Sequence, residues 1–552
     1  MSSKAIKNGI HKSSPESAGM VIVGQIIEYL LAIVLVILCF AVTLYAKDGY
    51  HQIGNAKFAA YRTVMVIGGI LLLVALVPYI VLWVKRYMRE HGKIQLSVTD
   101  GFVLAYLGLT VLSVISGGFY EDALWGCFGW NMGFMSQLSF VLLYFWVSRF
   151  GRYHRLILTA LCTAAVIVYV IGILHRLLID PIGFYDGLEG YQKAQFLSTL
   201  GQATWYGSFL AVTLPLGIGT LLWSEQKLWS VLGGIFTTLG FCTLVTQNSD
   251  SAYFAMAGVF LILFMASMET PAKIWRFMGV LTLFFGAGKW MCLLMRLHPN
   301  PDLQVDFITD LMWNSWITWV LFGICLLAAV AMYAAKTKRT GRERRAGKSD
   351  AGDGTGFSGR HTIAYRIVPI AAVAAVAAIV LVICLQARGV FPESISERLS
   401  QVSYFNWNDD WGNGRGRIWR FSAKVFAEED IVNKLLGVGP DCFNSYVSDH
   451  YGEEAKLLWG EKMLTNAHNE WLNILINGGI LGAGAYLGIY VTAIRRFLSA
   501  GRKGNAAVLI GIAAAGISYL CYNFFCYQQV LCTPFIFILM GAGEYIVRES
   551  RE

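Results

Sequence analysis

Residues 20–46 read MVIVGQIIEYLLAIVLVILCFAVTLYA, an apolar run whose one charge is Glu28. A run of about 18 or more such residues reaches across a hydrocarbon core roughly 30 Å thick, so this segment is expected to cross a membrane as a helix. It is too long for the apolar part of a signal peptide and lacks a small-residue cleavage site, and is therefore expected to remain as the first span. Comparable runs begin near Thr63, Gly101, Gly133, Leu156, Thr204, Leu228, Ala252, Ile274, Trp313, Ala364, Trp471, Ala506 and Val530. Together they predict an all-α polytopic membrane protein of about fourteen helices. Twelve or thirteen remain open, because Ser113, Ser116 and Gly117 interrupt the third run and Gln528 and Gln529 leave almost no loop before the last.

The composition agrees. Of the 552 residues 56% are hydrophobic and 14% charged, against roughly 25% charged in ordinary soluble domains. The net charge of +9 lies mostly in short loops between apolar runs, which is a topology signal and argues against a nucleic-acid partner. Most of the cysteines, among them Cys39, Cys162, Cys242, Cys292 and Cys384, fall inside apolar runs, where Cys acts as a small hydrophobe; no disulfide is assigned.

The basic loops alternate along the chain. They fall at Lys4, Lys7 and Lys12, at Lys85, Arg86, Arg89 and Lys93, at Arg149, Arg152 and Arg155, at Lys273 and Arg276, over residues 336–348, at Arg495, Arg496, Arg502 and Lys503, and at Arg548 and Arg551. Positive loops stay inside, so both termini are expected in the cytoplasm. Residues 336–361 are basic and then Gly- and Ser-rich, which predicts a flexible cytoplasmic linker between an N-terminal bundle, 1–335, and a C-terminal part, 362–552. The outer loops are short except for residues 390–470, a stretch long enough to escape the charge rule.

That long loop holds the patterned residues. After an Asn- and Asp-rich turn over residues 406–413 comes Gly414-Arg415-Gly416-Arg417-Ile418-Trp419, with Trp419, Ala423 and Phe426 at helical spacing. This predicts an amphipathic helix lying on the membrane and stopped after Leu436 by Gly437-Val438-Gly439-Pro440. A second short helix carries Phe443, Tyr446 and Val447 on one face. The loop closes with TNAHNEWLNILINGGILG, residues 465–482. Thr465 or Asn466 is the expected N-cap, which would put His468 in the first turn of a membrane helix. There, free amides and the helix dipole favour anions and a neutral, proton-accepting imidazole.

The order Gly-Arg, Trp, a helix ending in Gly-x-Gly-Pro, and then His-Asn-x-x-Leu with Gly-Gly-x-x-Gly beyond it resembles the signature of the O-antigen ligase and polymerase superfamily over residues 411–490. The resemblance implies a GT-C-like architecture with one large extracytoplasmic loop carrying amphipathic helices. It also implies a glycosyltransferase that moves a glycan from an undecaprenyl pyrophosphate carrier to an acceptor hydroxyl, without metal or cofactor, on the outer face of the cytoplasmic membrane. Arg415 and His468 correspond to its functional Arg and His. A guanidinium suits the charge left on a pyrophosphate, and a neutral His suits proton removal from the acceptor. Arg417, Asn469, Gly439 and Gly201, the last within Ser198-Thr199-Leu200-Gly201-Gln202, are expected to support substrate binding. Arg417 and Arg420 could equally anchor the loop at the interface. Asp250 stands where several relatives carry Arg, and is expected to cap its helix.

The main rival is a transporter or flippase of lipid-linked sugars. Transporters place ionisable groups at mid-membrane and show internal repeats. Here Glu28, Lys289 and Glu544 are the few charges inside runs, and no repeat is evident. A receptor would need a cytoplasmic output module, and none is recognisable. Ligase and polymerase both stay open.

Overall fold

The computed structural model describes residues 15–90, 95–268, 271–345 and 360–550. The basic residues Lys4, Lys7, Lys12, Lys93 and Arg551 and positions 346–359 of the expected linker lie outside them; the linker's described residues, 336–345 and 360–361, are not flexible chain but the ends of two helices. The chain is helical almost throughout. In order the helices are α1 (Pro15–Leu44), α2 (Ile53–Glu90), α3 (Val98–Gly117), α4 (Tyr120–Trp125), α5 (Phe134–Phe150), α6 (His154–Arg176) and α7 (Gly190–Gln195). They continue as α8 (Ala203–Trp223), α9 (Lys227–Thr246), α10 (Asp250–Ser267), α11 (Pro271–Leu297), α12 (Phe307–Asn314), α13 (Ile317–Arg345) and α14 (Arg360–Ala387). The outer loop supplies α15 (Glu393–Ser400), α16 (Trp411–Glu428), α17 (Ile431–Leu436) and α18 (Phe443–Trp459), and the chain ends with α19 (Glu470–Gly501), α20 (Ala506–Tyr522) and α21 (Thr533–Glu549).

Every apolar run read from the sequence is a helix. Among the described residues ten helical segments are long and apolar enough to cross a membrane, and one of these joins α5 to α6 across the short turn Gly151–Tyr153. By this measure the count of fourteen is not confirmed: Val373–Ala387 and Ala506–Tyr522 are shorter apolar helices. Burial is inverted relative to a water-soluble bundle. Val66, Ile67, Ile70 and Val74 on α2, and Ile324, Leu327 and Val330 on α13, are exposed on the outside, as suits a chain whose solvent is lipid.

Helix pairs α1–α2, α8–α20, α5–α21 and α3–α19 make up the packed bundle. Small residues permit the close approaches: a methyl on Gly219 would overlap the backbone at Gly511, and one on Gly68 would overlap Val34. At one end of the bundle Asp100 bonds Arg149 at 3.0 Å and Arg548, while Glu544 holds Arg496 at 2.9 Å and Arg548 at 3.2 Å. Four helices are thereby tied by charges that satisfy one another. Glu28 faces Arg152 at 3.6 Å, and Lys289 donates to the Ser315 carbonyl at 2.8 Å. All three charges inside apolar runs thus have local partners, which weakens the argument for an ion pathway.

The outer loop has its own small core. Phe421 and Val425 of α16, Val438, and Phe443, Tyr446 and Val447 of α18 pack with Ala123 of α4 and Ile476 of α19. Phe443, Tyr446 and Val447 share the buried face expected for them. The single amphipathic helix expected to run to Leu436 is instead two. Asp430 accepts hydrogen bonds from the amides of Val432 and Asn433, which caps a new helix and ends the previous one.

Candidate functional site

Three local devices build the site. The first is a break in α19 at Gly479, whose φ of 67° and ψ of −178° suit only glycine. A helix broken inside a membrane frees carbonyls that need partners. The Gly437-Val438-Gly439-Pro440 turn supplies them: the Val438 amide donates to the Ile476 carbonyl and the Gly439 amide to the Asn477 carbonyl, each at 3.0 Å. A methyl on Gly437 would overlap the Asn477 carbonyl, and one on Gly479 would overlap Leu435. The glycines of the signature therefore let two backbones touch. Gly439 itself packs against Cys442 and Ala123.

The second device orients His468. Asn469, not Thr465 or Asn466, caps α19: its side chain accepts from the amides of Trp471 and Leu472 at 2.9 and 3.2 Å. His468 thus precedes the helix and is not in its first turn. It adopts a left-handed conformation with φ of 48°, and its amide is held by the Asn466 side chain at 2.9 Å. A cap at Asn469 fits because its carbonyl side chain reaches two free amides at once. The His468 ring meets the Tyr527 ring edge-on at 5.5 Å. Burial first, and then the nearby Arg415 cation, lower its pKa to about 4. Burial and the neighbouring cation, not a helix dipole, are what favour a neutral imidazole here.

The third device aims Arg415. Gly412, Asn413 and Gly414 all take positive φ, so the chain coils left-handed before α16 proper begins. Arg415 then donates to the Gly412 carbonyl at 2.8 Å and the Phe525 carbonyl at 3.3 Å. Its Nε is buried without a hydrogen-bond partner, and no carboxylate pairs with it among the described residues. Arg417 differs. It contacts Asp409 at 3.4 Å and donates to the Leu458 carbonyl at 3.0 Å, so its charge ties α16 to α18. Arg420 also pairs with Asp409. Arg415 and His468 therefore converge on the strip Phe525–Tyr527 that joins α20 to α21, and Arg415 is left with donors to spare.

Asp250 and Gly201, both singled out in the sequence, lie farther from His468. Asp250 does not cap its own helix: it is the first residue of α10, and its carboxylate accepts from the Ile308 amide in the first turn of α12 at 3.0 Å and from the Tyr404 hydroxyl. The Tyr404 carbonyl in turn accepts from the Trp411 indole at 3.0 Å, so Asp250 braces the turn that carries Arg415. Asp306 lies close by, and burial, then Asp250, raise its carboxyl to about 6 against the opposing pull of Arg415. Gly201, φ 94°, closes a two-stranded hairpin, Phe196–Leu197 with Gly201–Gln202, against Ile53 and Tyr50. Trp205 packs against the same Tyr50 and Ile53, its ring meets Trp130 at 6.0 Å, and Trp130 meets Tyr527 at 4.6 Å.

Sequence reasoning missed Tyr404, Asp441, Glu470, Phe525 and Tyr527. Glu470 and Asp441 directly follow the two signature motifs, and Tyr527 precedes the two glutamines before the last span. Polar and aromatic residues crowded between apolar runs were the available signal.

Compared with known families, residues 311–487 match the model described as O-antigen ligase. The stretch holds both Arg415 and His468, and the resemblance read from the motifs is thereby upheld. It supports a ligase- or polymerase-type activity for a multi-pass membrane protein. No curated protein matches the chain.

Proposed function

We propose that the protein transfers a glycan from an undecaprenyl pyrophosphate carrier to an acceptor hydroxyl, on the outer side of a cytoplasmic membrane and with both termini inside. The observation that carries this reading is that Arg415, with no carboxylate in ion-pair contact among the described residues, and His468, whose pKa burial and that cation lower to about 4, meet on one short strip of chain. The donor's leaving pyrophosphate gains negative charge as the anomeric bond breaks. A planar, permanently charged guanidinium with spare N–H groups meets that charge. The acceptor hydroxyl loses its proton as it attacks, and a neutral imidazole can take it. Asn466 holds the His468 backbone amide and Asn469 caps the helix that follows it, and Asp250 with Tyr404 steadies the Arg415 turn. In this reading Arg417, Asn469 and Gly439 act by holding the loop.

The test is genetic complementation. In a host lacking the chromosomal copy, the wild type is compared with Arg415→Ala and His468→Ala at matched protein levels, and lipid-linked and surface glycans are profiled by gel and mass spectrometry. Both variants should accumulate carrier-linked glycan and lose the mature product. Normal surface glycan in both would remove the assignment and favour the lipid-linked-sugar transporter.

A further inference from the structure

A second polar site adjoins the His468 turn. A cavity between α3, α5 and α19 is bounded by Asn466, which holds the His468 amide, and by Tyr527, which packs on its ring. Deeper in, its wall carries Asp441, Glu470, Gln137 and Asn477, all at least nine-tenths buried. No Lys or Arg lines it, and Arg415 is not part of it.

The wall is held in place. Asp441 accepts from the amides of Cys127 and Met132, both at 2.8 Å, Glu470 accepts from the Gln528 amide at 3.0 Å, and Gln137 bridges Tyr106 and Gln528, both at 2.8 Å. Two groups are left over among the described residues: the side-chain oxygens of Asn473 and Asn477 are buried without a hydrogen-bond partner, and both residues line the cavity. A buried amide oxygen without a donor is costly unless a ligand or water supplies one. Carboxylates, amides and aromatic rings around a cavity with no cation are the groups that hydrogen-bond sugar hydroxyls and stack on sugar faces.

We propose that this cavity receives a sugar ring of the acceptor that is uncharged or amine-bearing, and that a wall without a Lys or Arg excludes rings carrying a carboxylate or phosphate. The word acceptor rests on the transferase reading; the charge preference does not. An anionic substituent would be stripped of water beside two carboxyl groups with no cation to answer it, whereas a hydroxyl or ammonium finds acceptors already placed. The cavity borders His468 on a wall that excludes Arg415, which separates the sugar that gives a proton from the pyrophosphate that leaves.

The experiment uses the full chain in lipid nanodiscs and ligand-observed saturation-transfer NMR, with methyl glucoside, methyl glucosaminide and methyl glucuronide as probes. The first two should bind the wild type at least about tenfold more tightly than the glucuronide. Asn473→Lys, which puts a cation on the wall, should narrow that gap. Asn477→Ala should weaken the glucoside several-fold and still fold, since the backbone carbonyl of Asn477, not its side chain, carries the Gly439 and Ser113 bonds. Equal binding of glucuronide and glucoside to the wild type, or no binding of any probe, overturns the proposal. If glucuronide is rejected while Arg415→Ala and His468→Ala cells keep normal surface glycan, the transferase reading fails and the sugar cavity stands.

Discussion

Replacing Arg415 with Gln should raise the pKa of His468 without restoring it to an ordinary value. Burial is the larger cause of the depressed pKa and the Arg415 cation the second, so removing the cation leaves the larger cause in place. In the wild type the fall from 6.5 to about 4 corresponds to about 3 kcal/mol against the imidazolium. The sign follows for stability as well. Between about pH 6.5 and 4 the unfolded chain binds a proton at this site that the folded chain refuses, so acidification through that window removes up to the same amount. Diethyl pyrocarbonate reacts with neutral imidazole only, and peptide mass spectrometry resolves the modification at His468 from that at other histidines. In the wild type the rate at His468 should persist well below pH 6 and fall through about pH 4. In Arg415→Gln the midpoint should move up but stay below 6.5. A wild-type midpoint near the ordinary value, or one that Arg415→Gln leaves untouched, refutes the argument that burial and a neighbouring cation keep the ring neutral.

Gly479→Ala should cost about 1–3 kcal/mol of backbone strain, on top of the overlap with Leu435, and free the outer loop to proteolysis. Gly484→Ala, where a methyl meets nothing, should melt like the wild type in the same thermal scan. Tyr404→Phe removes the hydroxyl that joins the Arg415 turn to Asp250; glycan transfer should drop several-fold at unchanged protein level, and wild-type transfer would show that the brace is dispensable. Asn469→Ala should lower stability by about 1 kcal/mol through loss of the α19 cap, with Asn469→Asp retaining it, as read by thermal unfolding.

The sequence by itself determined the class of the protein and the position of its helices. Apolar length is a local property, set by the thickness of the bilayer and the need of each span to satisfy its own backbone, so the runs beginning near Met20 and Thr63 could be read one at a time. The motif residues were legible too, because Gly-x-Gly-Pro and His-Asn are short strings. What they do to one another was not. That Asn469 and not Asn466 caps α19 depends on where the chain leaves the loop. That Asp250 braces Tyr404 joins positions 154 residues apart. That Arg415 makes no ion pair among the described residues while Arg417 and Arg420 share Asp409 is decided by the left-handed coil at Gly412–Gly414, which turns one guanidinium towards Phe525 and leaves the others on the loop. The break at Gly479 and the turn that fills it are each half of a fit, and only packing two distant backbones together makes the cavity beside His468.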